Sequence, residues 1–238
     1  MREEDVRALT VINIAFGLIR DGEVVWDAKD ARDGMVSIRK SNPELKIVLS
    51  VGGWGADGFS QAARTKEGRE RFAASALAIV KEYGLDGIDI DWEFPGMTFG
   101  SNAYDELVDV ENFTLLMKDL RAALGQSTLL TYAGYCMDKR PQGEGYKYID
   151  VKAVDPYVDF VNIMAYDLVD APQHQSALNK PSNYWDCQRS VDEYLNAGVS
   201  ADKLVLGIPF YGRADFNAGG SINYRDILNL SKDDGYVI

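Results

Sequence analysis

Short apolar runs alternate with longer amphipathic stretches along most of this chain, and that alternation restricts its fold more than any other feature. Thr10–Gly17 (TVINIAFG), Lys46–Gly52 (KIVLSVG), Asp86–Trp92 (DGIDIDW), Ser127–Gly134 (STLLTYAG), Asp159–Ala165 (DFVNIMA) and Lys203–Phe210 (KLVLGIPF) each read as a strand. Residues near 28–40, 66–83, 104–124 and 186–197 carry helical spacing, and Gly84, Gly125 and Gly198 stand where helices stop. Asp21-Gly22 is a tight-turn signal. Strand then helix, repeated at roughly 30–45 residues, is the pattern of a parallel α/β fold. No glycine-rich phosphate fingerprint follows the first strand, which disfavours a dinucleotide-binding sheet. Polar residues recur at the C-terminal ends of successive strands: Ser50, Glu93, Tyr166 and Asp167. An α/β barrel assembles its active site at those ends. The stretch 166–185 is long for a simple connection, and loops of that length are usually functional or disordered.

One strand is chemically unusual. Asp86-Gly-Ile-Asp89-Ile-Asp91-Trp-Glu93 places Asp89, Asp91 and Glu93 at alternate positions, so all three project from one face. Ile88, Ile90 and Trp92 project from the other. Three acids on one buried face repel each other and lose hydration, which makes a purely structural role a poor explanation. The arrangement suits an enzyme that keeps one carboxyl protonated beside another that stays ionised. Neighbours on such a strand lie about 6.5–7 Å apart at Cα, so Asp91 and Glu93 titrate as a cluster. Calcium is the competing reading. A calcium loop needs glycine at its sixth position, and counting from Asp89 that position is Phe94, with Ile and Trp as spacers. No metal is expected.

Charge and composition narrow the partners. The 238 residues carry a formal net charge of −12, which argues against nucleic acid and anionic membrane surfaces. No apolar run reaches membrane-spanning length, and the N-terminus lacks a signal-peptide pattern. If the parent protein is exported, its signal lies outside this sequence. The single histidine, His174, rules out a multi-histidine metal site. Cys136 and Cys187 either pair or remain free thiols.

The chain resembles glycoside hydrolase family 18, the chitinase-like (β/α)8 barrels. Asp86, Asp89, Asp91 and Glu93 match that family's Asp-x-x-Asp-x-Asp-x-Glu string. Ser50-Val-Gly-Gly53, Met164-Ala-Tyr166-Asp167 and Gly207-Ile-Pro-Phe-Tyr-Gly-Arg213 are similar to its third-, sixth- and seventh-strand segments. Ile12-Asn-Ile-Ala-Phe16 is similar to its second strand. The segments come in family order and span nearly the whole chain. The resemblance implies hydrolysis of β-1,4-linked N-acetylglucosamine polymers, chitin or its oligosaccharides, without a cofactor. Glu93 would be the general acid, and the substrate's acetamido oxygen the nucleophile, so configuration is retained. Asp91 would orient the acetamido N–H, Asp89 would share a proton with Asp91, Tyr166 would donate to the acetamido oxygen, and Asp167 would contact the sugar. Trp54, Met164, Tyr211, Arg213 and Ser50 are the candidates for lining the substrate. Ser50 either satisfies a strand end or supports Asp89, and Arg213 either bonds a site carboxylate or caps a surface. An endo-β-N-acetylglucosaminidase acting on N-glycan cores shares the acidic motif, and a sugar-binding or inactive remnant is the reading of another class.

The resemblance has gaps. The six strands correspond to the second through seventh of eight, so an incomplete barrel is expected, lacking the first and eighth. Residues 1–213 would form this partial barrel, and 214–238 the start of an α+β insertion or a tail. Secretion of the parent protein is implied. Open edges pair with other chains. Two copies are therefore expected to pair through them, unless the second and seventh strands meet in a smaller barrel.

Overall fold

Strands laid side by side in one largely parallel sheet carry the site residues on one face and a hydrophobic core on the other. The computed structural model describes residues 2–29, 31–97, 103–136, 148–169, 174–179, 185–213 and 220–227. In chain order the elements are α1 (Glu3–Ala8), β1 (Val11–Arg20), β2 (Glu23–Val25), α2 (Arg32–Ser41), β3 (Lys46–Gly52), α3 (Phe59–Ala63) and α4 (Lys66–Tyr83). There follow β4 (Gly87–Asp91), α5 (Asp109–Leu124), β5 (Leu129–Gly134), α6 (Val151–Val154), β6 (Phe160–Ile163) and α7 (Cys187–Asn196). The last are β7 (Leu204–Leu206), β8 (Tyr211–Arg213), β9 (Ser221–Asn223) and α8 (Tyr224–Ile227).

The main sheet has seven strands in the order β2-β1-β3-β4-β5-β6-β7. All neighbours are parallel except β2, which runs antiparallel to β1. The expected α/β barrel strands are present, and the sheet they form is open among the described residues. The alternative of a smaller barrel closed by the second and seventh strands is not seen among the described residues, because β1, which corresponds to the second, pairs with β2 and β3, and β7 pairs with β6. The tight-turn signal explains β2. Asp21 and Gly22 both adopt positive φ, 53° and 77°, which matches a two-residue hairpin and folds Glu23–Val25 back onto Leu18–Arg20. The hairpin lengthens β1 beyond the expected Gly17 and covers part of its edge.

Other boundaries moved for local reasons. Helix α5 starts at Asp109 rather than near 104, because the Asp109 carboxylate accepts the Asp105 and Gly96 N–H groups and Asp105 turns back on Leu107. Strand β7 stops at Leu206 rather than Phe210. Gly207 N–H makes a last bond to the Ile163 carbonyl, and Pro209 has no N–H to continue a ladder. Tyr211–Arg213 then leaves the sheet and pairs with Ser221–Asn223, so residues on both sides of the expected 213/214 boundary are hydrogen bonded to one another.

The outward faces of the strands build the core. Ile88, Ile90 and Trp92 are fully buried against Phe72, Ala76, Phe113 and Leu116 from α4 and α5. The Trp92 ring stacks on Phe59 at 5.1 Å, and Phe113 meets Tyr132 edge-on at 5.7 Å. Each such side chain contributes about 1.5–3 kcal/mol on burial. Thr65 caps α4 by accepting the Gly68 N–H, Asp186 caps α7 by accepting the Arg189 N–H, and Gly84 ends α4 in the left-handed region. The sheet's ends are different. Phe16 and Leu18 on β1, and Val205, Leu206, Ile208 and Phe210 on and after β7, are exposed, Phe210 by 74%. These are the surfaces on which the expected pairing between copies would act. Among the described residues no helix is long and apolar enough to cross a membrane.

Asp86, the first acid of the motif, lies at the opposite end of β4 from Glu93. Its carboxylate accepts the Ile47 N–H at 2.7 Å and pairs with Arg39 at 2.7 Å and Lys46 at 3.7 Å. Asp86 therefore registers β4 against β3 and has no place among the site groups. Replacing it with alanine leaves the Ile47 N–H and the Arg39 guanidinium without this partner and is predicted to cost about 2–3 kcal/mol. Urea unfolding should show a lower midpoint with an unchanged slope; an unchanged midpoint would refute the role.

Candidate active site

The register of the parallel strands delivers the acids to one place. Ser50 pairs with Asp89 across β3 and β4, and Asp89 pairs with Thr131 across β4 and β5. The side chains of the same residues then bond. Ser50 Oγ donates to Asp89 Oδ2 at 2.7 Å, and Thr131 Oγ1 donates to Oδ1 at 2.6 Å. Asn162 Nδ2 on β6 adds a third bond to Oδ1 at 3.1 Å. Burial pushes the Asp89 carboxyl up, and these three neutral donors partly offset it. Ser50 thus bonds Asp89 from the neighbouring strand. The expected sharing of a proton with Asp91 is not seen as a hydrogen bond between the two carboxyls.

Asp91 follows on the same face and is 8% exposed. Its Oδ1 is buried and has no hydrogen-bond partner. Burial first, then the charges of Glu93 and Asp89, push its pKa up to about 8. The backbone around it is fixed by β3. Gly52 has φ +113°, and a Cβ there would overlap the Asp91 carbonyl oxygen, which accepts the Gly53 N–H at 2.9 Å. Two glycines after Ser50 are therefore a requirement of close approach.

Glu93 stands just past the end of β4 and is half-buried. Burial first, and then the charge of Asp167, push its carboxyl up to about 7. The loop behind it is anchored by buried Asp109, which accepts from Ser60 Oγ at 2.8 Å and from the Gly96 and Asp105 N–H groups. The acidic strand by itself implies one carboxyl protonated beside another that stays ionised. The structure differs, because Asp91 is the more buried and rises further, and Asp167 is the carboxylate held charged. Burial works against the Asp167 charge, but hydrogen bonds from Arg213 and Tyr211 and the Arg213 charge outweigh it and hold its carboxyl below the ordinary range.

Asp167 sits beyond β6 with φ 53°, an uncommon left-handed geometry for a non-glycine residue. Arg213 Nε and Nη2 reach its two oxygens at 2.7 and 2.8 Å, and the Tyr211 hydroxyl donates to Oδ2 at 2.5 Å. Arg213 therefore bonds a site carboxylate, and Tyr211 and Arg213 together hold Asp167. Tyr166 is half-buried, its ring meeting Tyr211 edge-on at 6.1 Å. Burial, then the charges of Asp91 and Glu93, push its hydroxyl up to about 12, so it remains a donor. Met164 packs with Phe94, Ala133 and Tyr166 as an apolar wall. Trp54, past the end of β3, is 60% exposed and presents an indole to solvent. His174 is exposed, and Cys136 and Cys187 are both buried free thiols. Among the described residues no group of three His, Cys, Asp or Glu is arranged to hold a metal ion.

The family model for glycosyl hydrolases family 18 matches residues 2–237. The chain belongs to this family. It is 36% identical over 203 residues to chitinase A1 of Niallia circulans, covering 74% of this chain and 28% of that protein. It is 34% identical over 206 residues to mouse chitotriosidase-1, covering 79% of this chain and 43% of that protein. The solved chitinase domain of the spore coat protein CotE from Clostridium difficile superposes with a TM-score of 0.84 at 32% identity, covering 94% of this chain and 66% of that one. The chain thus spans less than half the length of these two curated relatives.

Within this family 18 site, sequence reasoning did not assign Thr131, Tyr135, Gln175 or Asp109. Thr131 and Asn162 carried a usable signal, since alternation puts Thr131 inside its strand and Asn162 on the face of Met164 and Tyr166. Tyr135, whose hydroxyl donates to the Asp167 carbonyl at 2.7 Å, and Gln175 carried none.

The raised Asp91 pKa has a sign for stability. Its carboxyl titrates at about 8 when folded against an ordinary 3.8. Below the lower value both states hold the proton. As pH rises through that window the unfolded chain releases it and the folded chain retains it, so stability falls. Asp91→Asn removes this dependence. The variant is predicted to gain on the order of 2–3 kcal/mol over the parent between pH 5 and pH 8, or roughly 5–10 °C in Tm. Thermal melts showing the same difference between the two proteins at both pH values would contradict the protonated, buried Asp91.

Proposed function

We propose that this chain carries the catalytic centre of a retaining glycoside hydrolase that cleaves β-1,4-linked N-acetylglucosamine polymers. The observation that carries this reading is the buried, unpartnered Asp91 Oδ1 beside Glu93 and Tyr166. Leaving a buried acceptor unmet costs about 1–3 kcal/mol, a cost that a sugar amide N–H would remove. Glu93 donates its proton to the glycosidic oxygen as that bond breaks. The acetamido carbonyl oxygen attacks the anomeric carbon, giving a cyclic oxazolinium ion, and no protein carboxylate forms a bond to sugar. Asp91 accepts the acetamido N–H at its unpartnered Oδ1 and orients the group. The Tyr166 hydroxyl donates to the acetamido oxygen. Glu93, now ionised, takes a proton from the water that opens the ring, which restores the acid and retains configuration.

Asp167 keeps a negative charge that favours the protonated form of Glu93, and contacts the sugar at the cleavage point. Trp54 offers a ring face for a pyranose. The similarity to proteins named chitinase and chitotriosidase supports chitin-type oligosaccharides. An insoluble polymer such as chitin does not cross a membrane intact, and this substrate would place the parent protein's action outside the cell.

Release of a fluorophore from chitobiose and chitotriose conjugates tests the assignment. Glu93→Gln should lower kcat by about 10²–10⁴. Because Glu93 acts as an acid with a carboxyl near 7, turnover should fall as pH rises above that value. Unaltered turnover in Glu93→Gln would end this mechanism. Preference for a high-mannose glycan would move the substrate to N-glycan cores, and sugar binding without turnover in either protein would mark a sugar-binding remnant.

A further inference from the structure

The segment 174–179 contributes one residue to the site that no motif covers. Gln175 is 9% exposed, while its neighbours His174, Leu178 and Asn179 are exposed. Its side-chain Oε1 accepts the Asp167 N–H at 3.3 Å, and its Nε2 donates to the Tyr211 carbonyl at 3.0 Å. Its own backbone carbonyl accepts the Leu168 N–H at 3.0 Å. Ser176 Oγ next to it donates to the Ala165 carbonyl at 2.6 Å. One residue therefore ties the chain leaving β6 to the start of β8.

Those are the two segments whose side chains form the Asp167–Arg213–Tyr211 group. Asp167 depends on such external ties, since its left-handed backbone persists only where surrounding contacts over-determine it. The Tyr135 hydroxyl holds its carbonyl, and Gln175 holds its N–H. The chemistry also selects glutamine. The site needs one acceptor and one donor on a single planar group, uncharged beside a carboxylate. Glutamate lacks the donor when ionised, and leucine or methionine fills the volume without either bond.

We infer that Gln175 is a positioning residue, whose buried amide locks Asp167 to Tyr211 and so fixes the Asp167–Arg213 ion pair in working geometry. The inference rests on the function proposed above for its catalytic meaning, but its structural content is measurable without turnover. With Gln175 intact, the Arg213 and Tyr211 bonds hold the Asp167 carboxyl below its ordinary range despite burial. Loosening the link weakens those bonds and lets the midpoint move up.

Carboxyl-carbon NMR titration of Asp167, its signal assigned by loss in Asp167→Asn, should show the midpoint moving upward in Gln175→Leu. In the same variant kcat on chitotriose conjugates should fall about tenfold to a hundredfold, as expected for a misplaced group, with KM changed less than about threefold. Gln175→Met, which keeps the length and flexibility of glutamine, is the second variant and should behave alike. An unmoved Asp167 midpoint in either folded variant overturns the inference. Loss of the fold in both also overturns it, by making Gln175 a stabilising residue only. A parent chain lacking Glu93-dependent turnover defeats the proposed function instead, and the Asp167 titration then decides the inference alone.

Discussion

The Asp89 carboxylate is the interaction on which the rest of the site depends. Its donors come from three other strands, Ser50 on β3, Thr131 on β5 and Asn162 on β6, while Asp89 itself is on β4. Four consecutive strands therefore meet at one buried group. Burying a carboxyl without partners costs several kcal/mol, so this node tolerates little slippage in register. A one-residue shift of β4 would turn Asp89 into the apolar layer and Ile88 or Ile90 into the polar one. The node fixes the direction of Asp91 two residues on, and the approach of Gly52 and Gly53 fixes its backbone.

With the geometry set, environment separates acids that look alike in sequence. Asp86 meets Arg39, Lys46 and a backbone N–H at the far end of β4 and acts in register. Burial favours the protonated forms of Asp91 and Glu93, reinforced by the charges of Glu93 and Asp89 at the first and of Asp167 at the second. Asp167 meets Arg213 and Tyr211 and stays charged. A fixed anion near two protonatable acids keeps a proton available near neutral pH, the condition general acid chemistry needs.

How much of this was legible in the sequence follows the range of the interactions. Period-two alternation assigns Asp89, Asp91 and Glu93 to one face and Ile88, Ile90 and Trp92 to the other, because it is local to one strand. The turn at Asp21-Gly22 is local too, although the short strand it generates went unread. The α5 boundary was missed because Asp109 draws in Gly96, 13 residues earlier. The bonds of Tyr211 and Arg213 to Asp167 were hard to read for the same reason at larger separation, 44 and 46 residues. Gln175 was invisible. Its role exists only where two chain segments converge, and nothing in a glutamine amid polar residues announces that convergence.

The open sheet and the site place different demands on the chain. Asp89, Asp91, Glu93 and Tyr166 are carried by or follow the inner strands β4 and β6, each of which is paired on both sides. Their arrangement does not rely on whatever covers the exposed apolar residues at β1 and β7. Asp167 is the exception. Its partners Tyr211 and Arg213 follow β7, the outermost parallel strand, and belong to the two-stranded ribbon rather than the main sheet. Fraying at that end would free Arg213 first and leave the acids of β4 in place. The fixed anion is thus the part of the site most sensitive to the state of the sheet's end. The bonds that reach it from Tyr135, just past β5, and from Gln175, in the segment after β6, are the means by which the structure holds it there.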